Sequence, residues 1–461
     1  MTILRRAAAW LALATLAAAA ALLVSGAVSN WLWVILALAG ELVAVVAGWY
    51  VVSRRGFVRW LALIVVVGGV GLFIGSLVGA DLRWPFVLVA CLLAAVSVGC
   101  ARVALGRTRH AALSEAPAAA AKARPVLIMN PKSGGGKATR FHLVDECRAR
   151  GIEPIVLQPG DDLVRLAENA IADGADIIGM AGGDGSQALV ATVAAAHGIP
   201  HVVVPAGTRN HFALDLGLDR DDVVGALDAF ADGVERRIDL AEVNGRVFVN
   251  NASLGIYAAI VQSPQYRDAK LQTAANMLPE LLGPDATPLD LRFTGPDGTS
   301  YTTAHLILVS NNQYQLDQIG GRGTREHLDD GTLGIVAARI DGPAQARQFI
   351  ALDSVGQIRR FPGWQEWPTP RFEVRSGGPV QIGIDGEALT MDPPLVFACR
   401  PGALLVRVPR HAPARSPAAT AVHLMSRSTL GELAAVGVGR ALCYGWVPSV
   451  TVVVADLPFL V

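Results

Sequence analysis

Four long apolar runs at the start of the chain limit what it can fold into. Their approximate bounds are Ala7–Ser25, Trp31–Val52, Trp60–Val78 and Pro85–Leu105. Each is close to the roughly 20 residues that a helix needs to cross the hydrocarbon core of a bilayer. Backbone polar groups inside a bilayer must be paired within the segment, which a helix achieves. Residues 1–110 are therefore predicted to form four transmembrane helices.

Arginine is distributed unevenly around these runs. It clusters before the first run, between the second and third, and at and beyond the end of the fourth, whereas the other two connections hold only Arg83, beside Asp81. The clustered residues are Arg5, Arg6, Arg54, Arg55, Arg59, Arg102, Arg107 and Arg109. The positive-inside rule then places both ends of the segment in the cytoplasm. We expect a multi-pass protein of the cell membrane whose catalytic portion is cytoplasmic.

Two features of the runs have alternative interpretations. The first run is also compatible with a signal peptide that ends at a "VSGA" cleavage site. In either case the fourth run delivers the rest of the chain to the cytoplasm. Glu41, inside the second run, is either a functional intramembrane acid or a carboxyl that faces the bundle or snorkels.

The charge balance and the cysteines exclude some classes of protein. Residues 1–110 contain nine Arg, no Lys and two acids, while the net charge of the chain is zero. The remainder is therefore acidic on balance, which argues against a nucleic-acid-binding protein because such a protein carries a basic patch. The five cysteines form no CxxC pair, so we expect neither a zinc cluster nor a disulfide framework.

Strand-like and helix-like segments alternate after the apolar runs. The strand-like segments are "PVLIM", "EPIVLQ", "DIIGMA" and "HVVVPAGT". This alternation is typical of a parallel sheet with helices on its faces, and it predicts an α/β domain over residues 125–238. A flexible linker, 111–124, precedes that domain. Short alternating strands predict an antiparallel β-sandwich over 239–409, and no structure is assigned to the tail, 410–461.

Three glycine-bearing loops follow strands of the predicted sheet: "NPKSGGGK", "GGDGS" and "PAGTRN". The first is not a P-loop, because Pro131 stands where that motif needs glycine, and Ala138 follows Lys137 in place of Ser or Thr. Carboxyl ends of parallel strands meet at one sheet edge, where glycines let backbone N–H groups approach an anion. Together the three loops predict a nucleotide site.

The loops and several later segments resemble a known family. "NPKSGGGK", "GGDGS" and "PAGTRNHFALDLGL" are similar to the three motifs of the diacylglycerol kinase catalytic domain family, which includes bacterial lipid kinases and sphingosine kinases. "LDDGTLGIV" and "IGIDGEAL" are similar to its DDG-L and I-DGE elements. Phosphofructokinases and NAD kinases carry related "GGDG" loops but lack those two elements. The resemblance implies an NAD kinase/diacylglycerol kinase-like fold with the active site between the two domains.

The resemblance also implies ATP and Mg²⁺ as cofactors. The residues that it places near ATP are Asn130, Ser133, Gly182, Gly183, Asp184, Gly185, Ser186, Gly207, Thr208 and Asn210. Asp184 would organise the catalytic Mg²⁺, and Ser186 stands where the family usually has Thr. Asp330 matches a carboxylate that binds a second, structural Mg²⁺, with backbone carbonyls near His327 and Thr332. Asp239 matches an acid that helps to tie the catalytic network together and is counted among the metal-binding residues.

Glu387 matches the general base of the family, and Asp385 lies two residues away on the same predicted strand face. The alternative for Asp385-Gly386-Glu387 is a plain hairpin turn, which Asp-Gly favours. Asp330 has a similar alternative as part of a solvated turn. One departure is clear: His211 stands where the family usually has Asp. Asp215, one helical turn later, is a candidate to replace that acid.

The resemblance implies a membrane-bound lipid kinase that transfers the γ-phosphate of ATP to a lipid hydroxyl, with diacylglycerol as the default acceptor. Its expected partners are a membrane lipid and the bilayer, with no nucleic acid, and a homodimer is left open. One alternative is a kinase of a soluble nucleotide or polyol. Another is a catalytically weak regulator that binds ATP or lipid, for which His211 is the motive. "FPGWQEWP", residues 361–368, is either a membrane-facing rim or a packed loop.

Overall fold

A computed structural model describes residues 3–54, 56–79, 84–105, 116–117, 124–255, 289–316, 323–354, 357–410, 416–417 and 427–438. Most of the predicted linker and of the tail lies outside the described residues. By its contacts the chain forms two units. The first comprises residues 1–26, 83–111 and 422–461, and the second comprises residues 27–82 and 112–421.

Four long helices occupy the apolar runs. They are α1 (Ile3–Ser29), α2 (Trp31–Ser53), α3 (Phe57–Gly79) and α4 (Trp84–Leu105). Each contains a span that is long and apolar enough to cross a membrane. All four predicted helices are therefore present, within three residues of the predicted bounds for α2, α3 and α4 and within four for α1.

In the first unit, α1 packs on α4 and on α11 (Arg427–Gly437). The contact is lined mainly by small side chains, among them Ala8, Ala12 and Ala101. The Ser97 hydroxyl on α4 donates a hydrogen bond to the carbonyl oxygen of Ala12 at 2.7 Å. Helix α1 continues without a break through the "VSGA" stretch that the alternative interpretation treats as a cleavage site.

In the second unit, α2 and α3 approach each other through glycines. A Cβ atom at Gly40 would lie 2.7 Å from the carbonyl oxygen of Gly69, so both positions exclude larger residues. Glu41 lies one residue further along α2 and forms an ion pair with Arg347 at 3.7 Å. Arg347 belongs to α10 (Pro343–Ser354), so this carboxyl, which lies inside the second apolar run, has a cationic partner outside the four runs.

The predicted α/β domain contains four parallel strands. They are β2 (Pro125–Met129), β3 (Glu153–Val156), β4 (Ile177–Ala181) and β5 (His201–Val204). The helices that follow them are α5 (Lys137–Arg140), α6 (Leu143–Ala149), α7 (Leu163–Ala172), α8 (Asp184–His197) and α9 (His211–Asp215). The strand order is β5-β4-β2-β3, and all four pair in parallel. Nearly every residue of β2, β4 and β5 is buried, because helices cover both faces of the sheet.

Five further strands extend this sheet. They are β6 (Gly233–Val243), β7 (Arg246–Phe248), β16 (Arg371–Val374) and β19 (Leu395–Pro409), together with the short β1 (Ala116–Pro117). The second half of β19 pairs in parallel with β5, although the sequence pattern assigned this closing strand to the β-sandwich. A register shift between Arg400 and Leu404 lets the single strand serve both layers.

The second sheet is antiparallel and has the order β15-β14-β11-β8-β17-β18. Its strands are β8 (Asn251–Gly255), β11 (Leu306–Asn311), β14 (Leu333–Ala338), β15 (Trp364–Thr369), β17 (Val380–Ile384) and β18 (Glu387–Met391). Two short pairs complete the list: β9 (Phe293–Thr294) with β10 (Ser300–Tyr301), and β12 (Tyr314–Gln315) with β13 (Thr324–Arg325).

The core of the second domain lies between the six-stranded sheet and the first halves of β19 and β16. Phe397 and Phe372 from those strands pack with Leu254, Ile335 and Ile382 of the six-stranded sheet. The predicted antiparallel sandwich therefore exists, but its second layer is the extended end of the first sheet. The two sheets are joined by short connections: two residues separate β7 from β8, and one residue separates β15 from β16.

The "FPGWQEWP" segment is a packed element. Trp367 is 8% exposed and belongs to the core of the second domain, where its ring lies 5.7 Å from that of Phe372. The indole N–H of Trp364 donates to the carboxylate of Glu366 at 3.2 Å. Both tryptophans therefore have partners within the domain, as the packed alternative requires.

Candidate active site

The three glycine loops lie together at the carboxyl-terminal edge of β2, β4 and β5. A Cβ atom at Gly134 would lie 2.5 Å from the carbonyl oxygen of Ala206. One at Gly207 would lie 2.5 Å from the Cα atom of Gly183. Because backbone meets backbone at these points, only glycine fits. The structure thus brings together the loops that the sequence assigns to a single site.

The first loop turns sharply between β2 and α5. Its three glycines, Gly134, Gly135 and Gly136, have φ angles of +54°, +70° and +81°, which glycine adopts at little cost. The side-chain oxygen of Asn130 accepts a hydrogen bond from the backbone N–H of Lys132 at 3.0 Å. Asn130 therefore shapes the start of this turn, and Ser133 follows at the head of a short 3₁₀ turn.

The second loop leads directly into α8. Gly183 is the residue before the helix, and Asp184, Gly185 and Ser186 form its first turn. Backbone N–H groups at the start of a helix of this length attract anions such as phosphate. A Cβ atom at Gly182 would lie 2.6 Å from the terminal methyl group of Met180, so a larger residue here would require that side chain to move.

Asp184 connects the second loop to the third motif. One oxygen of its carboxylate accepts from the N–H of His211 at 3.1 Å, and the other accepts from the N–H of Phe212 at 3.2 Å. A carboxylate has about four lone-pair sites, so both oxygens can still accept from water or a metal ion. This donor chemistry fits Mg²⁺, which prefers carboxylate and water ligands. Asp184 is the residue that would hold the catalytic ion.

The third loop is held by the side chain of Asn210. Its oxygen accepts from the N–H of Gly207 at 2.9 Å, and its amide nitrogen donates to the carbonyl oxygens of Pro205 and Gly207 at 2.9 and 3.0 Å. Asn210 is 3% exposed and has a φ angle of +50°. It therefore closes the turn from within, while Thr208 is exposed at the tip of the loop.

Glu387 lies against the second loop. It starts β18 after a two-residue hairpin, in which Ile384 and Glu387 are partners and Asp385 and Gly386 have φ angles of +47° and +87°. These are the angles of a type I′ turn, which Asp-Gly favours. A Cβ atom at Gly185 would lie 2.8 Å from Oε1 of Glu387. The segment is therefore a hairpin, as one interpretation predicted, and it brings Glu387 next to the second glycine loop.

Arg246 holds the other oxygen of Glu387. Its guanidinium Nη2 donates to Oε2 at 2.8 Å, and the two side chains are 39% and 49% exposed. The carboxylate is therefore both fixed in direction and open to solvent. A base needs this combination, because it must reach an incoming hydroxyl and release a proton afterwards.

Asp385 points away from the loops and into the protein. Its carboxylate accepts from the backbone N–H groups of Val249, Asn250 and Asn251 at 2.9, 2.9 and 3.1 Å. The pKa of Asp385 is raised to about 7, chiefly by burial and also by the charge of Asp184, while the N–H donors act to lower it. The residue was predicted to be catalytic, yet its contacts are those of a group that anchors the hairpin bearing Glu387.

Comparison with known proteins fits this geometry. The family described as "Diacylglycerol kinase catalytic domain" matches residues 124–243. A diacylglycerol kinase of Bacillus subtilis is 40% identical over 238 residues, which cover 49% of this chain and 76% of that protein. The chain belongs to the diacylglycerol kinase catalytic domain family. It is accordingly a kinase.

Two further relatives of this kinase are more distant. A diacylglycerol kinase of Mycobacterium tuberculosis is 27% identical over 307 residues, which cover 62% of this chain and 94% of that protein. The crystal structure of a diacylglycerol kinase from Bacillus anthracis is 18% identical. It matches with a TM-score of 0.45 and covers 63% of this chain and 99% of that chain.

Asp215 does not replace the acid that the kinase lacks at His211. It is 4% exposed and lies at the end of α9, where both its oxygens are bound by Arg325. Asp215 does lie one helical turn after His211, as expected, but its carboxylate binds Arg325 of the second domain. Asp184 is therefore oriented by backbone N–H groups of α9 rather than by a second carboxylate.

The residues predicted to bind metal lie in two separate places. Asp239 accepts from the N–H groups of Gly331 and Gly402 at 2.7 and 2.8 Å, so it organises the DDG-L turn. The Thr332 carbonyl accepts from the N–H of Asn312 at 3.1 Å. Asp184 lies at the glycine loops instead.

Asp330 belongs to a compact group of ligand atoms. In the described part of the chain, His327, Asp329 and Asp330 offer ligand atoms that lie within 4.8 Å of one another. Burial raises the pKa of Asp330, His327 opposes this, and the charges of Asp329, Asp239 and Glu326 raise it further. Clustered carboxylates of this kind fit a hard divalent cation, which would offset their repulsion.

Two arginines of the site were not predicted from the sequence. Arg246 follows Asn244-Gly245, whose φ angles of +48° and +82° make a hairpin between β6 and β7. An Asn-Gly pair is a recognisable hairpin signal, so it could have placed Arg246 at the start of a strand, just as Asp-Gly places Glu387. Arg325 had no such local signal, since its partner Asp215 is 110 residues away.

Proposed function

We propose that this kinase is bound to the membrane and transfers the γ-phosphoryl group of ATP to the hydroxyl of diacylglycerol, with Mg²⁺. The position of Glu387 carries the proposal: one carboxylate oxygen lies beside Gly185, in the loop whose backbone faces the phosphates, and the carboxylate is open to solvent. A base in this place can activate a hydroxyl that approaches a phosphate on the glycine loops.

Each part of the site has a role in the transfer. The glycine loops and the start of α8 bind the phosphates, with Ser133, Ser186 and Thr208 adding hydroxyl groups. Glu387 takes the proton of the lipid hydroxyl while the new O–P bond forms. The bond between the γ-phosphorus and the bridging oxygen breaks, and ADP leaves. Asp184 would hold Mg²⁺, which would offset negative charge on the phosphoryl group during transfer.

The membrane helices and the relatives support a lipid acceptor. Four apolar helices would keep the catalytic domains at a bilayer, where a lipid substrate is concentrated. The arginines that flank them favour an orientation with these domains on the cytoplasmic side, where ATP is available. The Bacillus subtilis relative at 40% identity is named a diacylglycerol kinase.

Phosphate transfer from γ-labelled ATP to a panel of acceptors tests the proposal. The full-length protein in mixed micelles would receive diacylglycerol, monoacylglycerol, ceramide, sphingosine or a polyprenol, and separately glycerol or a nucleoside. Labelled phosphatidic acid as the main product would support the proposal. Label on another lipid would replace the acceptor, and label on a soluble acceptor alone would make the enzyme a soluble-substrate kinase. ATP binding without transfer to any acceptor would instead support a regulator that binds ATP but does not catalyse transfer.

A further inference from the structure

Arg325 is the centre of a buried polar cluster that connects the two domains. Its side chain is completely buried, yet all five N–H groups of its guanidinium have acceptors. Nε and Nη2 donate to Asp215 at 2.8 and 2.6 Å, and Nη2 also donates to the side-chain oxygen of Asn250 at 2.9 Å. Nη1 donates to the carbonyl oxygens of Val249 and Asn311 at 2.6 and 2.7 Å.

Asp385 binds the same segment that Arg325 binds, residues 249–251. Arg325 binds the Val249 carbonyl and the Asn250 side chain, while Asp385 accepts the N–H groups of Val249, Asn250 and Asn251. The N–H of Asp385 in turn donates to the carbonyl oxygen of Asn251 at 3.0 Å. The hairpin that presents Glu387 is therefore fastened to a segment whose position Arg325 sets.

At its opposite end the cluster reaches the second glycine loop. Asp215 ends helix α9, and the first two N–H groups of that helix hold the carboxylate of Asp184. Contacts therefore run without interruption from Asp184 through α9, Asp215, Arg325 and the 249–251 segment to Asp385. His211 cannot supply the negative charge that the family has at this position. The orientation of the Asp184 carboxylate therefore depends on where α9 places the N–H groups that bind it.

Stability does not account for such a cluster. Taking two charges out of water costs about as much as their attraction returns, so an apolar pair of similar volume often serves stability equally well. A guanidinium bound by five acceptors does fix geometry, because its planar fork accepts partners only in set directions. In transfer reactions, a misplacement of about 1 Å can cost about 10²-fold in rate.

We propose that Arg325 is a positioning residue that sets Glu387 on the second domain against Asp184 on the first. The inference rests on the proposed function, in which these two carboxylates serve the base and the metal. Its consequence is that loss of the fork lowers kcat and leaves the KM for ATP nearly unchanged, because Arg325 reaches the glycine loops only indirectly, through α9 and Asp184.

Two variants separate positioning from folding. Arg325→Lys keeps a positive charge beside Asp215 but cannot bind Asp215, Val249 and Asn250 together. The double variant Asp215→Leu/Arg325→Met removes both charges and so leaves no unpaired ion. We expect each to remain folded in a thermal melt, with kcat lowered about 10- to 100-fold and the KM for ATP within about twofold. Wild-type kcat in either folded variant would overturn the proposal.

The matched control is Arg359→Lys. Arg359 binds both oxygens of Glu366 at 3.0 and 2.8 Å, and Glu366 lies on β15, at the opposite edge of the six-stranded sheet from β17 and β18. The change is chemically the same, so it should leave kcat at the wild-type value. If Arg359→Lys lowered kcat as much as Arg325→Lys does, the loss would not be specific to the position of Arg325, and the proposed role would be overturned.

A readout that needs no activity keeps this inference separate from the proposed function. Amide hydrogen exchange in Arg325→Lys should accelerate in residues 249–255 and 384–391 and stay unchanged in β2 and β4. Unchanged exchange in both of those segments would overturn the positioning role. Wild-type protein that phosphorylates no acceptor would instead overturn the proposed function, while the exchange data would still decide the role of Arg325.

Discussion

Gly207→Ala is the substitution that tests the packing of the glycine loops most sharply. The new Cβ atom would lie 2.5 Å from the Cα atom of Gly183 and 2.6 Å from Oδ1 of Asn210. Carbon atoms in good contact are about 3.5–4.0 Å apart, so the second and third loops must separate by about 1 Å. The φ angle at Gly207 is not left-handed, so the effect comes from this contact rather than from backbone strain.

Two losses follow from that separation. Overpacking typically costs about 1–3 kcal/mol of folding free energy, so the melting temperature should fall by a few degrees. A shift of about 1 Å between the loops should lower kcat/KM for ATP by about 10²-fold, because the phosphates lose their alignment with Glu387.

The assay is phosphate transfer at varied ATP concentration, with the melting temperature measured on the same preparations. Gly378→Ala is the control, since a Cβ atom there would meet no heavy atom within 4 Å. It should match the wild type in both measurements. Wild-type kcat/KM for ATP in a folded Gly207→Ala variant would show that the loops do not hold the phosphates together.

Three further predictions concern single side chains. Arg246→Gln should change the free energy of unfolding by less than about 1 kcal/mol, because the ion pair with Glu387 is exposed. It should lower kcat about tenfold, because the base loses its fixed direction. A wild-type kcat in this variant would show that Arg246 is dispensable. Burial lowers the pKa of His201 from 6.5 to about 3, so the unfolded chain binds more protons between these values and stability should fall as pH decreases through that window. Unfolding midpoints measured against pH should therefore fall less steeply in His201→Asn than in the wild type, and parallel curves would contradict the assignment. Mg²⁺ should raise the melting temperature of the wild type more than that of Asp330→Asn, since an ion bound only by the folded state stabilises it, and equal shifts would remove Asp330 from a metal site.

Local signals in the sequence predicted much of this kinase. The apolar runs, the alternation of strands and helices, and the glycine loops each depend on neighbouring residues, and the structure contains all three. The Asp385-Gly386 hairpin is also local, and its turn type follows from those two residues alone. Such features are decided before any distant part of the chain is in place.

The features that were not predicted join distant residues. The second half of β19 pairs with β5 roughly two hundred positions earlier, and no local pattern distinguishes that partner from a strand of the sandwich. The Arg246–Glu387 pair spans 141 positions, and the Asp215–Arg325 pair spans 110. The role of Asp385 was missed for a related reason: a carboxylate near a base suggests catalysis, whereas its three N–H donors exist only in the folded chain.

In the proposed function, Glu387 is the base that activates a lipid hydroxyl beside the glycine loops. The most direct test compares the wild type with Glu387→Gln, measuring binding of a fluorescent ATP analogue and single-turnover transfer of labelled phosphate to diacylglycerol. We predict unchanged nucleotide affinity and a transfer rate lower by about 10²–10⁴-fold, the contribution typical of a positioned base. Transfer at the wild-type rate by Glu387→Gln would show that Glu387 is not the base.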